Sequence, residues 1–102
     1  MDLNEFGQKV ELWARARNLV EGTTSEKQFL KLIEEAGEVA ECIAKNRHDE
    51  LASEIGDMLV VLNILANQNG LLLSHCAGEA WNKIKDRKGR MIDGYFVKEA
   101  DL

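Results

Sequence analysis

Apolar side chains recur every three or four positions in four segments of the chain, a spacing that is typical of amphipathic helices. The predicted helices cover residues 3–19, 25–45, 49–69 and 74–88. Ser25 and Gln28 match a capping box at the start of the second helix. Asn46 or Asp49 is predicted to cap the third helix, and Ser74 the fourth. The pattern therefore predicts an all-α fold.

The last segment has no helical period, although Asp93-Gly94 indicates a turn. A chain of 102 residues is long enough for one domain. We expect a helical domain over residues 1–90 and a C-terminal tail over residues 91–102. The tail is expected either to pack on a partner subunit or to stay mobile.

The second half of the third helix, residues 58–66, is apolar nearly all round. Such a helix must be buried on every side, and three other short helices can hardly enclose it. We therefore expect a homodimer or a homotetramer with this helix at the subunit interface. Asn63 interrupts the apolar run, either as a satisfied core amide or as a contact to the sugar of a substrate. The side chains of the fourth helix that are predicted to face inward are Ala77, Ala80, Trp81 and Ile84.

Negative charge is concentrated in residues 34–57, which hold eight carboxylates and two cations, a balance of −6 in a chain of net charge −5. Two pairs of acids in this stretch are three residues apart, and on a helix that spacing places both members on one face. The pairs are Glu35 with Glu38 and Glu54 with Asp57. If residues 46–49 connect two antiparallel helices, the four carboxylates converge across one helix–helix seam.

Like charges at helical spacing cost roughly 0.2–0.5 kcal/mol per pair on a solvated face, and more where water is excluded. A divalent cation would offset that cost, and ligand sets of oxygen alone suit Mg²⁺, Mn²⁺ or Ca²⁺. Gly37 and Gly56 lie beside the two pairs and are expected to let the helix backbones approach closely. The alternative is that both acid stripes are solvated helix faces.

The segment EEAGE followed by EIGD resembles the ExxE…ExxD motif of the MazG-like, all-α nucleotide pyrophosphohydrolases, and the resemblance extends over residues 3–90. It implies a four-helix bundle-type fold and Mg²⁺-dependent hydrolysis of (deoxy)nucleoside triphosphates to the monophosphate and pyrophosphate, with Mn²⁺ as an alternative metal. Such an enzyme serves nucleotide pool sanitation or recycling. The implied metal ligands are Glu35, Glu38, Glu54 and Asp57. These four are also the implied catalytic residues, joined by Glu34 as general base or orienting group.

The candidate substrate contacts are Lys31, Lys83, Arg87, Lys88 and Trp13. The resemblance implies that Lys31 contacts phosphate, whereas its simpler role is an ion pair within its helix. Lys83, Arg87 and Lys88 belong to the one concentrated positive patch, which either clamps a polyphosphate or complements the helix dipole. Trp13 either stacks on a nucleobase or belongs to the core.

Two further functions fit the same residues. The first is that of a phosphoribosyl-ATP pyrophosphatase, which a comparison of substrates would reveal. The second is that of a non-catalytic helical interaction module whose acid cluster binds metal only structurally.

The remaining composition limits partners and location. The negative net charge and the absence of a basic arm argue against a nucleic-acid partner. Cys42 and Cys76 lack metal-ligand spacing and are predicted to be reduced, buried thiols. The first ten residues do not resemble a secretory signal, and the longest apolar run, residues 58–62, is too short to span a bilayer. We expect a soluble, cytoplasmic protein without a membrane partner.

Overall fold

A computed structural model describes all 102 residues, Met1–Leu102. Its helices are α1 (Leu3–Ala16), α2 (Ser25–Ala44), α3 (His48–Gln68) and α4 (Leu73–Ile84). They are followed by two strands, β1 (Gly89–Ile92) and β2 (Tyr95–Lys98), and by a 3₁₀ turn (Glu99–Asp101). The four predicted helices are confirmed, whereas the two strands were not predicted.

The first two helices begin at side-chain caps. The Asp2 carboxylate accepts a hydrogen bond from the Glu5 amide at 2.8 Å, and the Thr24 hydroxyl accepts one from the Lys27 amide at 3.2 Å. The predicted cap at Ser25 is wrong by one position, because Ser25 is already helical. The predicted extension of α1 to residue 19 is also wrong, since Asn18 has a φ of 58° and ends the helical path.

The caps predicted for the other two helices are also wrong. Arg47 precedes α3 and Leu72 precedes α4, and neither provides a side-chain hydrogen bond. Asp49 and Glu50 lie in the first turn of α3, where carboxylates interact favourably with the positive end of the helix dipole. Gly70, with a φ of 69°, follows the C-terminus of α3 as predicted.

The core lies where α1 and the loop after it pack on α3, around Ala14, Val20 and Ile64. Asn63 of α3 is fully buried beside it. Its side-chain amide donates to the Gly7 carbonyl of α1 at 3.3 Å and to the Asn67 side chain at 3.1 Å. Asn63 is thus a core residue, but its amide is satisfied only in part, because its buried Oδ1 accepts no hydrogen bond. The predicted contact to the sugar of a substrate stays a prediction.

The fourth helix departs from the predicted bundle. The axes of α3 and α4 are bent by 101° across the break between them, so α4 does not lie antiparallel along α3. No residue of α4 is buried, and Trp81 is 59% exposed. The prediction that Ala77, Ala80, Trp81 and Ile84 face inward is therefore wrong for the single chain. The apolar side of α3 that α4 leaves open is an exposed groove.

The residues after α4 form an antiparallel hairpin in which Gly89 pairs with Lys98 and Ile92 with Tyr95. Asp93 and Gly94 have φ values of 51° and 84°, as a two-residue type I′ hairpin turn requires. The domain boundary expected after residue 90 lies inside β1.

No single helix is long and apolar enough to cross a membrane, although α3 and α4 together, despite the bend between them, would be so by length and composition.

Candidate functional site

The acid pairs are positioned by α2 and α3, which run antiparallel on either side of a short connection. Lys45 caps the C-terminus of α2, Asn46 adopts a φ of 53°, and α3 begins at His48. The reversal therefore takes fewer residues than the 46–49 connection that the sequence predicted. It leaves the two helices in contact along most of their length, so residues equally distant from the turn lie side by side.

Four carboxylates meet across this seam. Each of Glu35, Glu38, Glu54 and Asp57 offers one oxygen, and these four oxygens all lie within 4.8 Å of one another. The predicted convergence is confirmed. We call these four residues the acid cluster. Glu35 is buried and Glu54 is half-buried, whereas Glu38 and Asp57 are exposed at the rim.

The two deeper members carry unpaired oxygens. Oε2 of Glu35 and Oε2 of Glu54 are buried and accept no hydrogen bond from the chain. A buried carboxylate oxygen without a partner is costly, and nearly all such atoms in proteins are paired. Four carboxylates around one point with two unpaired inner oxygens fit a hard divalent cation that takes oxygen ligands. The acid cluster is therefore able to hold a divalent metal ion through carboxylate oxygens.

The glycines beside the pairs do not explain this approach. A Cβ atom built on Gly37 or on Gly56 would meet no atom within 4 Å. The predicted role of these glycines in bringing the backbones together is therefore wrong for the single chain. The space beside both positions is open.

Lys31 is the one cation paired with the cluster. Its Nζ lies 3.3 Å from Oε1 of Glu34 and 3.3 Å from Oε1 of Glu35. Hydrogen bonds to Glu34 and then to Glu35 raise the pKa of Lys31, so it stays protonated at any pH near neutrality. Lys31 thus provides a fixed positive charge at the edge of the acid cluster.

A pocket of about 480 Å³ opens directly beside the cluster. Its walls are Trp13, Leu19, Thr23, Gln28, Lys31, Glu35, Asp57, Val60, Val61 and Ile64. Trp13 of α1 is 46% exposed, and the guanidinium of Arg17 lies 4.6 Å from its ring centroid. One face of the indole is therefore covered by a cation, and the ring edges the same cavity as Glu35 and Asp57.

Gln28 is a pocket residue that the sequence analysis considered only as part of a cap. It is 8% exposed, and its side-chain amide makes no hydrogen bond within the chain. Gln28, Lys31 and Glu35 are three and four residues apart, so they lie on one face of α2. That spacing was visible in the sequence and could have identified Gln28 as a neighbour of the acid cluster.

Other predicted site residues do not reach the cluster. Glu34 points to Lys31 and is exposed, so its role as general base stays a prediction. Lys83, Arg87 and Lys88 are exposed beyond or at the end of α4 and do not line the pocket. Glu41, one turn after Glu38 on α2, also lies outside the cluster; it pairs with Lys45 at 2.6 Å, which lowers the pKa of the Glu41 carboxyl.

Residues 23–92 match the protein family described as the MazG nucleotide pyrophosphohydrolase domain. The chain belongs to this family. The match includes all four members of the acid cluster, Lys31 and Gln28, and it extends through β1. Trp13 and the rest of α1 precede the residues that match the MazG domain.

A relative from Haemophilus phage HP1 (strain HP1c1) is the uncharacterised 18.2 kDa protein of the rep-hol intergenic region. It is 50% identical over 68 residues, which are 67% of this chain and 42% of the relative. This MazG chain thus spans less than half of the relative's length. No solved structure matches this chain.

Proposed function

We propose that this chain hydrolyses (deoxy)nucleoside triphosphates to the monophosphate and pyrophosphate in a Mg²⁺-dependent reaction. Membership of the MazG family supports pyrophosphohydrolase activity of the nucleotide class. The observation that carries the proposal is the position of the acid cluster beside a pocket large enough for a nucleotide. Two buried oxygens of the cluster, Oε2 of Glu35 and Oε2 of Glu54, have no hydrogen-bond partner.

The four acids would hold the cation between α2 and α3. Bound there, the ion supplies positive charge to triphosphate oxygens and makes a water molecule more acidic near neutral pH. Because an acidic pocket alone repels a triphosphate, the reaction is expected to require added divalent metal. Lys31 provides a further donor for a phosphate oxygen at the border between the acid cluster and the pocket.

The pocket walls would orient the nucleoside. Trp13 presents an aromatic surface, and Val60, Val61 and Ile64 provide an apolar side that excludes water. The unpaired amide of Gln28 offers both a donor and an acceptor to the edge of a base. We propose that Gln28 contributes to the choice of base, since leaving such an amide without its partner lowers the affinity for the wrong base.

The proposal is tested by incubating the full chain with Mg²⁺ and a panel of common and oxidised nucleoside triphosphates together with phosphoribosyl-ATP. Monophosphate is measured by chromatography, and pyrophosphate by phosphate release before and after addition of inorganic pyrophosphatase. We expect equal amounts of the two products from at least one nucleotide. A stronger turnover of oxidised nucleotides would support pool sanitation, whereas exclusive turnover of phosphoribosyl-ATP would replace the proposal by the second pyrophosphatase function.

Variants of the acid cluster identify the site. Glu38→Gln and Asp57→Asn should each lower kcat by more than about 100-fold, since even residues that only orient metal ligands contribute 10–100-fold. Glu41→Gln is the matched control, because it lies one turn beyond Glu38 on α2 and outside the cluster. Normal turnover in both cluster variants would disprove the site. Stabilisation by Mg²⁺ without any product would instead indicate a non-catalytic metal-binding module.

The base-selection role of Gln28 is tested separately with Gln28→Leu. We expect a change of about tenfold or more in the ratio of kcat/KM values between two bases, with metal dependence retained. An equal loss of kcat/KM for every base would show that Gln28 supports only the shape of the pocket.

A further inference from the structure

The side-chain amide of Asn63 is fully buried, but only its nitrogen has hydrogen-bond partners. Nδ2 donates to the Gly7 carbonyl at 3.3 Å and to Oδ1 of Asn67 at 3.1 Å. Oδ1 of Asn63 accepts no hydrogen bond from the chain. A buried acceptor without a partner costs more free energy than a hydrogen bond usually contributes, and most such atoms are paired with protein or with ordered water. Oδ1 therefore requires a donor that the chain itself does not supply.

A small cavity lies beside this oxygen, where α1, α3 and the start of α4 meet. Its walls include Gly7 and Gln8 of α1, Asn63 and Asn67 of α3, and Leu73 and Ser74 of α4. A Cβ atom built on Gly7 would lie 3.2 Å from Oδ1 of Asn63. The oxygen therefore faces the side of Gly7 on which a side chain is missing.

The start of α4 brings unpaired donors to the same cavity. No side chain caps this helix. The Cys76 amide donates the first helical hydrogen bond, to the Leu72 carbonyl at 3.1 Å, so the amides of Leu73 and Ser74 have no partner within the helix. Both residues line the cavity. An acceptor held there would satisfy the N-terminus of α4 as a capping side chain does.

The size of the cavity and the mixture of groups around it decide which ligand fits. The volume is about 10 Å³, close to what one water molecule needs. An anion would accept from the α4 amides but has no proton to donate to Oδ1. A cation would bind Oδ1 but would be repelled by the positive end of the helix dipole. Water both donates and accepts, and a buried water typically makes about three hydrogen bonds.

The cavity lies at the joint between α3 and α4, where little else holds α4. Nδ2 of Asn67 donates to the Leu71 carbonyl at 3.1 Å, so direct hydrogen bonds connect α3 to the segment before α4. No residue of α4 itself is buried. Because packing within the chain attaches α4 only weakly, hydrogen bonds at its first turn have a large share in its attachment.

We propose that the cavity is a binding site for one ordered water molecule. The water donates a hydrogen bond to Oδ1 of Asn63 and accepts one from the amide of Leu73 or Ser74. It thereby attaches the first turn of α4 to α3 at the 101° bend between the two helices. The direction of α4, and with it the position of Lys83 near the other end of the helix, depends on this water. The site requires neither metal nor nucleotide, so its test is independent of the proposed function.

The first test detects the water by nuclear magnetic resonance in the full chain without metal or nucleotide. A held water and a surface water give nuclear Overhauser effects of opposite sign to nearby protons. We expect effects of the held kind at the α-protons of Gly7 and Leu73, which do not exchange with solvent. In Gly7→Ala the effect at Leu73 should be lost, since the methyl group takes the place of the water. Absence of the effects in the wild type, or an unchanged effect at Leu73 in Gly7→Ala, would overturn the proposal.

The second test compares melting temperatures at one protein concentration. Gly37→Ala is the matched control, because Gly37 is also a mid-helix glycine and an added Cβ there meets no atom within 4 Å. It should melt above the wild type, since Ala is the better helix former. Gly7→Ala should instead melt below the wild type by about 4 °C or more, because the displaced water leaves Oδ1 and an α4 amide unpaired. Equal gains in the two variants would contradict the water site.

Gly7→Ser separates the loss of the water from simple crowding. The Ser hydroxyl is able to donate to Oδ1 in place of the water, so this variant should melt above Gly7→Ala. Ser is larger than Ala and a poorer helix former, so crowding and helix propensity both give the opposite order. A melting temperature of Gly7→Ser at or below that of Gly7→Ala would show that the added atoms only crowd the cavity, and would overturn the proposal.

Discussion

The contact between α2 and α3 differs from the C-terminal third of the chain in how much of it is packed within a single chain. At the seam, four carboxylates from two helices meet within 4.8 Å. Beyond α3, no residue of α4 or of the hairpin is buried, and apolar side chains lie open on both. The comparison teaches that one chain builds the acid cluster by itself, whereas it leaves the apolar side chains of α4 and the hairpin exposed.

The largest expected difference between the two regions is in stability. Asn63→Ala removes a fully buried amide from the helical body, together with its bonds to Gly7 and Asn67. We expect the free energy of unfolding to fall by about 2–3 kcal/mol, from lost hydrogen bonds and the cavity left behind. Urea denaturation, followed at a concentration where the chain is monomeric, measures this change.

The matched change in the other region is Met91→Ala in the hairpin, which is expected to cost less than about 0.5 kcal/mol in the monomer. Equal losses for the two variants would mean that the hairpin is part of the cooperative helical unit, and the distinction between the regions would not hold.

A smaller effect tests the acid cluster without any substrate. In the absence of divalent metal, Asp57→Asn should stabilise the chain, because each relieved pair of like charges is worth about 0.2–0.5 kcal/mol. With saturating Mg²⁺ the wild type should become the more stable protein, since the variant loses a ligand and gains less from binding. The melting temperatures of both proteins, with and without metal, should therefore change order.

Glu41→Gln is the control, and Mg²⁺ should stabilise it as much as it stabilises the wild type, because all four residues of the acid cluster are intact. Lys45 lowers the pKa of Glu41, so the stabilising pair is present above the ordinary carboxyl pKa and is lost as the pH falls through the lowered value. The difference between wild type and Glu41→Gln should accordingly vanish in acid. An unchanged order of the Asp57→Asn and wild-type melting temperatures in Mg²⁺ would contradict a cation at the cluster.

The two free cysteines give the smallest signal, one in each region. Burial, followed by the charge of Glu54, raises the pKa of the Cys42 thiol, so its reactive thiolate forms at a higher pH than in a free thiol. Cys76 lies half-buried in the apolar groove that α4 leaves open on α3. In dilute protein, Cys76 should react with a maleimide first, and Cys42 only as the pH is raised. Labelling of Cys42 as fast as that of Cys76 would show that the α2–α3 seam opens readily.

The sequence was sufficient for the features that depend on spacing along a helix. The convergence of Glu35, Glu38, Glu54 and Asp57 follows from two three-residue spacings and a short reversal, so it was predictable without coordinates. The existence of the helices was also predictable, because each has a clear apolar period. Family membership was recognisable from the same acidic motif.

The predictions that were wrong concerned the capping residues of the helices and the direction of the elements after α3. A helix start one residue earlier makes Thr24, rather than Ser25, the cap. The 101° bend before α4 is not encoded in any periodicity, so a stripe that includes Trp81 was predicted to face inward and is exposed. The hairpin was missed because Asp93-Gly94 was noted as a turn without the flanking strands being recognised.

The buried amides between α1 and α3 have a consequence for the shape of the pocket beside the acid cluster. Asn63 bonds to Gly7, and Asn67 to Glu11, so two hydrogen-bonded contacts fix how far α1 can slide along α3. Trp13 follows Gly7 by six residues, about 9 Å along the same helix. A slip of α1 by one turn would carry the indole out of the cavity that it shares with Asp57. Substitutions of Asn63 or Asn67 would therefore change the shape of this pocket without touching it, and under the proposed function they would change which base it accepts.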